Sequence, residues 1–202
     1  MKLSNINAVN FKQAIAEAVE ILRKGGIVAH PTDTVWGLAC DAENAKAVRK
    51  LHALKKSDPS KPLLLNLPSK SYLDKIGSKL CRAHVLARHF WPGGLSLLVR
   101  SKVSPSEKIG VRLPDHEISN ALARTFGTPL TTTSANLTGK QVARDAQAVA
   151  KTFPKVDLIL DDGSISKNKA STLVDVSGKE TRLIRAGGLD FKKILRTLSP
   201  RS

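Results

Sequence analysis

The sequence predicts an α/β fold, because stripes of apolar residues at helical spacing alternate along the chain with short apolar runs. The first helical stripe consists of Phe11, Ala14, Ile15, Ala18, Val19 and Leu22. It ends at Gly25-Gly26, since glycine tolerates the positive φ that stops a helix. The run Ile27-Val28-Ala29 is predicted to be a buried strand, and Pro31, which lacks an amide donor, ends it. The PTDT segment is therefore expected at the carboxyl end of a strand.

The alternation continues to the end of the chain. Ala45, Val48, Leu51 and Leu54 predict a second helix, followed by the basic KKSDPSKP loop and a strand within 62–67. Further strands are predicted over 95–99, 109–113, 130–133, 158–160, 171–176 and 181–184. Further helices are predicted over 78–89, 118–125, 145–152 and 189–198. Residues 163–169 are polar and lack apolar periodicity, which predicts a loop.

Composition indicates a folded protein with one domain over residues 1–202. Of the 202 residues, 41% are hydrophobic and 25% are charged, so a core can form and wholesale disorder is not expected. Cys40 and Cys81 are too few for a disulfide scaffold and lack the paired spacing of a zinc site. The N-terminus lacks the apolar stretch of a signal peptide and no run has the length of a membrane span, which predicts a cytoplasmic protein without membrane contact.

The charge favours anionic ligands. Lys and Arg number 33 against 17 Asp and Glu, a net charge of +16, and such an excess attracts polyanions or anionic substrates. A generally basic, well-solvated surface explains the charge equally well, because lysines are spread from Lys2 to Lys193. Charge alone does not choose between a nucleotide and a nucleic acid.

Two groups of hydroxyl and amide side chains follow predicted strands. Thr32-Asp33-Thr34 and Ser134-Ala135-Asn136 lie where side chains face the ligand crevice of an α/β sheet. Each has a structural alternative, since Asp and Thr also form ordinary turns, and a run of Thr is good strand material.

Three lysines, Lys55, Lys56 and Lys61, lie close together in the basic loop and can hold phosphate oxygens, although a solvated loop explains them as well. No Walker A sequence occurs. Arg185, beside Gly187-Gly188, can approach a phosphate closely or can end a surface strand. The five histidines are scattered without metal or triad spacing, so no metal site and no catalytic histidine are predicted.

Seven ordered segments resemble the signatures of the YrdC family of threonylcarbamoyl-adenylate synthases. They lie within residues 30–188 and read HPTDTVWGL, LKKSDPSKPL, FWPGGLSLLV, VRLPDH, TTTSAN, STLVDV and LIRAGG. The resemblance implies one YrdC-like domain, with a twisted mixed sheet and flanking helices around a deep basic cavity. Because the chain ends soon after LIRAGG, it is similar to the short, single-domain form of the family.

The resemblance also implies the chemistry. Threonine would form a carbamate with bicarbonate or CO2, and a carbamate oxygen would attack the α-phosphate of ATP and release pyrophosphate. The product would serve threonylcarbamoylation of the adenosine next to the anticodon in tRNA. ATP is then a substrate, Mg²⁺ accompanies it, and expected partners are tRNA or RNA and downstream threonylcarbamoyl-transfer proteins.

Site residues are carried over by position. The residues expected around threonine are Thr34, Asn66, Arg112, Thr132 and Ser171. The residues expected around ATP are Lys55, Ser57, Lys61, Lys108, Ser134, Asn136, Val142 and Arg185. The catalytic cations are expected to be Lys55, Lys61 and Arg185, which would stabilise phosphate charge.

Ser57 departs from the family pattern, which has Lys, any residue and Arg where this chain has Lys55-Lys56-Ser57. A serine does not supply a fixed cationic fork, so phosphate binding must depend on the lysines or be weakened. An RNA-binding or ribosome-maturation module without synthase activity is therefore an alternative, although only 4% of residues are aromatic. A paralogue that makes another carbamoyl-adenylate is a second alternative.

Overall fold

The computed structural model describes residues 1–164 and 169–198. The helices in this part of the chain are α1 (Phe11–Arg23), α2 (Ala45–Lys55), α3 (Leu73–Ile76), α4 (Cys81–Phe90), α5 (Glu117–Phe126), α6 (Ala146–Thr152) and α7 (Phe191–Leu198), with a 3-10 helix at Lys70–Tyr72. The strands are β1 (Lys2–Asn5), β2 (Val28–His30), β3 (Gly37–Asp41), β4 (Leu64–Asn66), β5 (Gly77–Ser78), β6 (Leu95–Ser101), β7 (Lys108–Arg112), β8 (Leu130–Ser134), β9 (Leu158–Asp161), β10 (Thr172–Asp175) and β11 (Arg182–Arg185).

All these strands belong to one mixed sheet. Their order is β1-β9-β2-β3-β8-β4-β7-β6-β10-β11, and β5 pairs with β6 outside this path. The pairs of β9 with β1 and β2, β4 with β7, and β6 with β10 are parallel, and the others are antiparallel. The predicted α/β class is confirmed.

One half of the sheet is covered by helices on both faces. Successive residues of a strand point to opposite faces. On β2, Val28 packs in a cluster with Leu22 of α1 and Leu122 of α5, whereas the next residue, Ala29, packs with Leu51 of α2. Helix α6 contributes to the same cluster as α2. This half therefore has three layers.

The other half is covered on one face by α4 and α7, and its opposite face forms a cavity wall. On β6, Leu97 packs in a cluster with Ile194 of α7. The following residue, Leu98, points to the other face and lines the cavity, together with its partner on β7, Gly110, and with Arg112 at the end of β7. The one-sided covering thus exposes sheet side chains to a ligand.

The elements predicted from the sequence are present with shifted ends, and PTDT follows β2 as expected. The prediction missed β1, β3, β5 and the short helix α3. It also ended the TTT strand too early, because β8 extends through Ser134. Residues 165–168 of the predicted loop lie outside the described residues. No helix within residues 1–164 and 169–198 is long and apolar enough to cross a membrane.

Candidate active site

The cavity has a volume of about 400 Å³ and is built from segments far apart in sequence. Its polar lining comes mainly from the ends of β2, β7, β8, β10 and β11. Eight of the thirteen predicted site residues line it, namely Thr34, Arg112, Thr132, Ser134, Asn136, Val142, Ser171 and Arg185. The sheet therefore brings together most of the residues that the sequence assigned to two ligands.

Arg112 is held at the cavity wall by the PTDT segment. Its Nη2 atom donates to Asp33 Oδ1 at 2.6 Å, its Nη1 atom donates to Thr34 Oγ1 at 2.8 Å, and its Nε atom donates to the Gly93 carbonyl at 3.0 Å. Burial lowers the pKa of Arg112, the Asp33 carboxylate opposes this shift, and the nearby charge of Arg185 adds to it. The guanidinium is thus fixed in position and compensated by a carboxylate.

Arg185 is held differently, by one serine. Its Nε and Nη2 atoms donate to the Ser171 carbonyl at 3.2 and 3.1 Å, and Nη2 also donates to Ser171 Oγ at 2.9 Å. The residue as a whole is exposed, and partial desolvation of its guanidinium lowers its pKa. Within residues 1–164 and 169–198 it makes no ion pair. Its charge is therefore available to an anion in the cavity.

Lys55 lies behind the wall that Ser134 and Asn136 form. Its Nζ atom donates to the Ser134 carbonyl, to the Asn136 carbonyl at 2.8 Å and to Asn136 Oδ1 at 3.4 Å. Burial lowers the pKa of Lys55 to about 8. Ser134 Oγ donates to Asn136 Oδ1 at 2.6 Å, which closes a network around the ammonium. Lys55 therefore braces the SAN segment in this structure.

The remaining predicted residues do not line the cavity. Asn66 is buried beside Arg112 in the sheet register; its Nδ2 atom donates to the Ser119 carbonyl at 3.3 Å, and its Oδ1 atom has no partner among the described residues. Lys108 pairs with Asp175 Oδ2 at 2.7 Å and lines a separate cavity.

Ser57 and Lys61 belong to the basic loop after α2. The Ser57 hydroxyl lies 2.9 Å from His52 Nδ1, and the backbone amide of Ser57 donates to the His52 carbonyl. The Lys61 side chain is exposed, and its backbone amide bonds to the Asp58 carbonyl. The loop's cations therefore stand outside the cavity lining.

Sequence reasoning missed the apolar part of the site and one carboxylate. Trp36, Leu63, Leu98, Leu173 and Ile184 line the cavity with the polar residues. Apolar residues are usually expected in the hydrophobic core. Only the sheet topology shows that these side chains lie on the cavity face instead. The partnership of Asp33 with Arg112 also carried no sequence signal, because the two residues lie far apart in the chain.

Gly110 marks a close approach of side chains at this wall. A Cβ atom there would collide with the Leu64 side chain from the neighbouring strand β4. Leu64 lines the cavity, so a glycine at this position lets β4 bring an apolar side chain to the floor of the site.

Known proteins share this architecture. The chain is 33% identical over 196 residues to the threonylcarbamoyl-AMP synthase of Bacillus subtilis, covering 92% of this chain and 57% of that protein. It is 34% identical over 178 residues to the threonylcarbamoyl-AMP synthase of Chromohalobacter salexigens, covering 83% of this chain and 95% of that protein. The match to Bacillus subtilis thus spans a little over half of that relative.

The structural comparison agrees. The crystal structure of Pyrococcus abyssi Sua5 complexed with L-threonine superposes with a TM-score of 0.87 at 30% identity, covering 98% of this chain and 59% of that one. The family model Sua5_yciO_yrdC, described as telomere recombination, matches residues 20–187. Because that match includes most of the chain and all the residues that line the cavity, the chain belongs to the Sua5/YciO/YrdC family.

Proposed function

We propose that this chain makes threonylcarbamoyl-AMP from L-threonine, bicarbonate or CO2, and ATP, for the threonylcarbamoylation of tRNA. The observation that carries the proposal is one cavity with two fixed guanidinium groups, one compensated by a carboxylate and one not. The names of the relatives and the threonine-bound Sua5 structure support the same activity.

The Arg112 side of the cavity suits an amino acid. An amino acid is a zwitterion without net charge. A site that suits it therefore contains a cation and an anion close together, so that the site itself has little net charge. Asp33 compensates Arg112 internally, while Thr34 and Thr132 offer hydroxyls nearby. A guanidinium donates well to a carboxylate, and two of the five Arg112 N–H groups lie beyond those used in its three bonds. We therefore assign the threonine carboxylate to Arg112.

The Arg185 side suits a phosphate. Arg185 carries a charge that no carboxylate in the described chain neutralises, and Ser134 and Ser171 add hydroxyl groups to the same lining. Lys55 adds a second cation behind the SAN segment. Fixed cations facing a transferring phosphoryl group stabilise the charge that develops on it.

The reaction then needs positioning more than a protein nucleophile. The amine of threonine adds to CO2 and loses a proton, giving a carbamate. A carbamate oxygen attacks the α-phosphorus of ATP, and the bond from that phosphorus to the bridging oxygen breaks, with its electron pair leaving on pyrophosphate. Holding both substrates in one cavity of about 400 Å³ supplies the proximity for this step.

We extend the proposal to the setting of the reaction. We assign the chain one domain over residues 1–202, a cytoplasmic location, and tRNA and a threonylcarbamoyl-transfer protein as downstream partners. In residues 1–164 and 169–198 no group of three or more His, Cys, Asp or Glu side chains is placed to hold a metal ion. We propose that Mg²⁺ would come with ATP, because proteins commonly bind this ion through one or two carboxylates together with substrate phosphates.

Ser57 favours one competing function, a module that binds RNA with the same basic surface but does not form the adenylate. It lacks the guanidinium of the family pattern and bonds to His52 instead of facing the cavity. The synthase and the RNA-binding module are distinguished by incubating purified protein with ATP, bicarbonate and single amino acids and measuring pyrophosphate release. Threonine-dependent pyrophosphate release with threonylcarbamoyl-AMP as product supports the synthase. RNA binding without threonine-dependent release supports the module.

A further inference from the structure

Two serine hydroxyls meet at the edge of the cavity. Ser96 Oγ on β6 lies 2.7 Å from Ser171 Oγ, immediately before β10. Ser171 lines the cavity and is 3% exposed, whereas Ser96 is fully buried and does not line it. Ser96 lies on the cavity-facing side of β6, opposite Arg112 in the register, and its side-chain hydrogen bond to the cavity lining is the one with Ser171.

The donors and acceptors of this pair can be counted. A serine hydroxyl has one hydrogen to donate and two lone pairs to accept with. Ser171 Oγ already accepts a hydrogen bond from Arg185 Nη2 at 2.9 Å. Ser96 Oγ has Ser171 Oγ as its one hydrogen-bond partner among residues 1–164 and 169–198.

Only one direction of the bond satisfies both hydroxyls. If Ser171 donated to Ser96, the Ser96 hydrogen would be buried without an acceptor, which is costly. If Ser96 donates to Ser171, every Ser96 hydrogen is used and both Ser171 lone pairs are filled, by Arg185 and by Ser96. The Ser171 hydrogen is then left to point into the cavity.

We infer that Ser96 is a positioning residue, which fixes Ser171 as a hydrogen-bond donor to an acceptor oxygen of the bound substrate. The matching ligand group is a carboxylate, carbamate or phosphate oxygen, and an ammonium group is excluded at this point. The inference rests on the proposed function for the identity of the ligands. It goes further because it states that the Ser171 hydroxyl donates to the ligand and that Ser96 holds it in this orientation.

The test compares Ser96→Ala, Ser171→Ala and the double variant. Affinities for L-threonine and for ATP are measured separately by calorimetry, and kcat and KM are measured from pyrophosphate release. Ser101→Ala is the matched control, because Ser101 is buried on the same strand and its Oγ accepts from the Ser104 amide, away from the cavity lining. All variants are checked by urea unfolding.

Ser96→Ala should weaken binding of the ligand that Ser171 contacts by about 2- to 10-fold, the usual worth of one hydrogen bond, with kcat little changed. The double variant should bind as Ser171→Ala does, because Ser96 acts only through Ser171. Ser101→Ala should bind as the wild type does. A KM effect confined to one ligand is not expected from a general loss of stability.

The opposite direction of the bond predicts the opposite sign. There, Ser96→Ala would free the Ser171 hydrogen, and binding would be unchanged or tighter; that result overturns the inference, as does additivity of the two substitutions. If the wild type binds neither threonine nor ATP, the proposed function is wrong. The unfolding data then decide about Ser96: Ser171→Ala should cost more stability in the wild type than in the Ser96→Ala background, and equal costs overturn the inference.

Discussion

Arg112 and Arg185 face the same cavity, but the protein compensates their charges in different ways. Arg112 is buried against Asp33, with side chains 8% and 13% exposed. Arg185 is bound by the hydroxyl and carbonyl oxygens of Ser171, which carry no net charge. The charge of Arg112 is therefore neutralised by a carboxylate, whereas the charge of Arg185 is not.

Under the proposed function, the difference explains how one basic cavity would hold an amino acid and a nucleotide. A cation that already has a carboxylate partner adds little net charge to the cavity but still offers hydrogen bonds of fixed direction, which suits an amino acid. A cation bound to neutral oxygens keeps its net charge for a phosphate. Lys55, bound by the Ser134 and Asn136 oxygens, belongs to the second kind, and Lys108, paired with Asp175, belongs to the first.

The largest effect is expected from breaking the compensated pair. Arg112→Ala leaves the Asp33 carboxylate largely buried without its cation, which should lower the free energy of unfolding by about 3–5 kcal/mol. Urea unfolding followed by circular dichroism measures it. Arg112→Ala combined with Asp33→Ala should recover part of this loss, because no unpaired charge remains. An Arg112→Ala variant as stable as the wild type would show that the pair does not compensate the charge.

The uncompensated arginine should behave in the opposite way. Arg185→Ala should weaken ATP binding by about 1.5–3 kcal/mol, roughly 10- to 150-fold, with little change in unfolding free energy because no carboxylate loses a partner. Calorimetry and urea unfolding give the two quantities. Arg182→Ala, on the same strand but outside the lining of this cavity and paired with Glu180, is the control and should bind ATP normally. Normal ATP affinity in Arg185→Ala would remove the proposed phosphate site.

The contrast between the arginines also marks the limit of sequence reasoning. Both residues were assigned from motifs, and both line the cavity, because VRLPDH and LIRAGG contain them at fixed positions. The Asp33 partner was not predictable, since Asp33 lies in the segment after β2, and β2 does not pair with β7, which carries Arg112. Ser171 lies immediately before β10, which pairs with the strand of Arg185, but the strand pairing alone does not specify a hydrogen bond to the guanidinium. Local patterns identify which side chains are available, and tertiary contacts decide what charge those side chains present.

The same limit explains the missed strands. β1, with the sequence KLSN, is polar, and β3, with the sequence GLACD, contains no β-branched residue, so neither has strong strand propensity. β3 is a strand because it pairs on one side with β2 and on the other with β8. Helices α1, α2 and α5 were predictable because their apolar stripes are local.

Lys55 extends the comparison to pH. Burial lowers its pKa to about 8, below the 10.5 of an exposed lysine, so between these values the unfolded chain binds more protons than the folded chain. Lys55 should therefore make stability rise with pH from about 8 to 10.5, relative to Lys55→Met. The oxygens around Nζ favour the charged form and should keep this rise small.

Turnover should change in the opposite direction over the same range. As Lys55 loses its proton above pH 8, it stops bracing the SAN segment, and pyrophosphate release should fall several-fold in the wild type. Lys55→Met should be slow at every pH and should lack this descending limb. Parallel pH profiles for the two proteins would show that the Lys55 charge has no part in turnover.

The smallest effect is expected from adding a cation at Ser57. Ser57→Arg introduces a guanidinium without a dedicated carboxylate, so by the comparison above its charge should remain available to phosphate. A good charge-assisted contact contributes about 1.5–3 kcal/mol to ATP binding, and ordering the new side chain on binding costs about 0.5–1.5 kcal/mol. A net gain of about 1 kcal/mol, roughly fivefold tighter ATP binding by calorimetry, is expected. The lost contact between the Ser57 hydroxyl and His52 should appear in the free energy of unfolding instead.

Lys56 decides whether that gain is realised. It is exposed next to Ser57 and can already supply part of the missing charge, in which case the new guanidinium meets a like charge. Such compensation predicts that Lys56→Ala weakens ATP binding more in the natural chain than in the Ser57→Arg background. If instead the natural chain is fully active and Ser57→Arg has no effect or is harmful, position 57 does not limit phosphate binding, because the cations held by neutral oxygens, Arg185 and Lys55, already suffice.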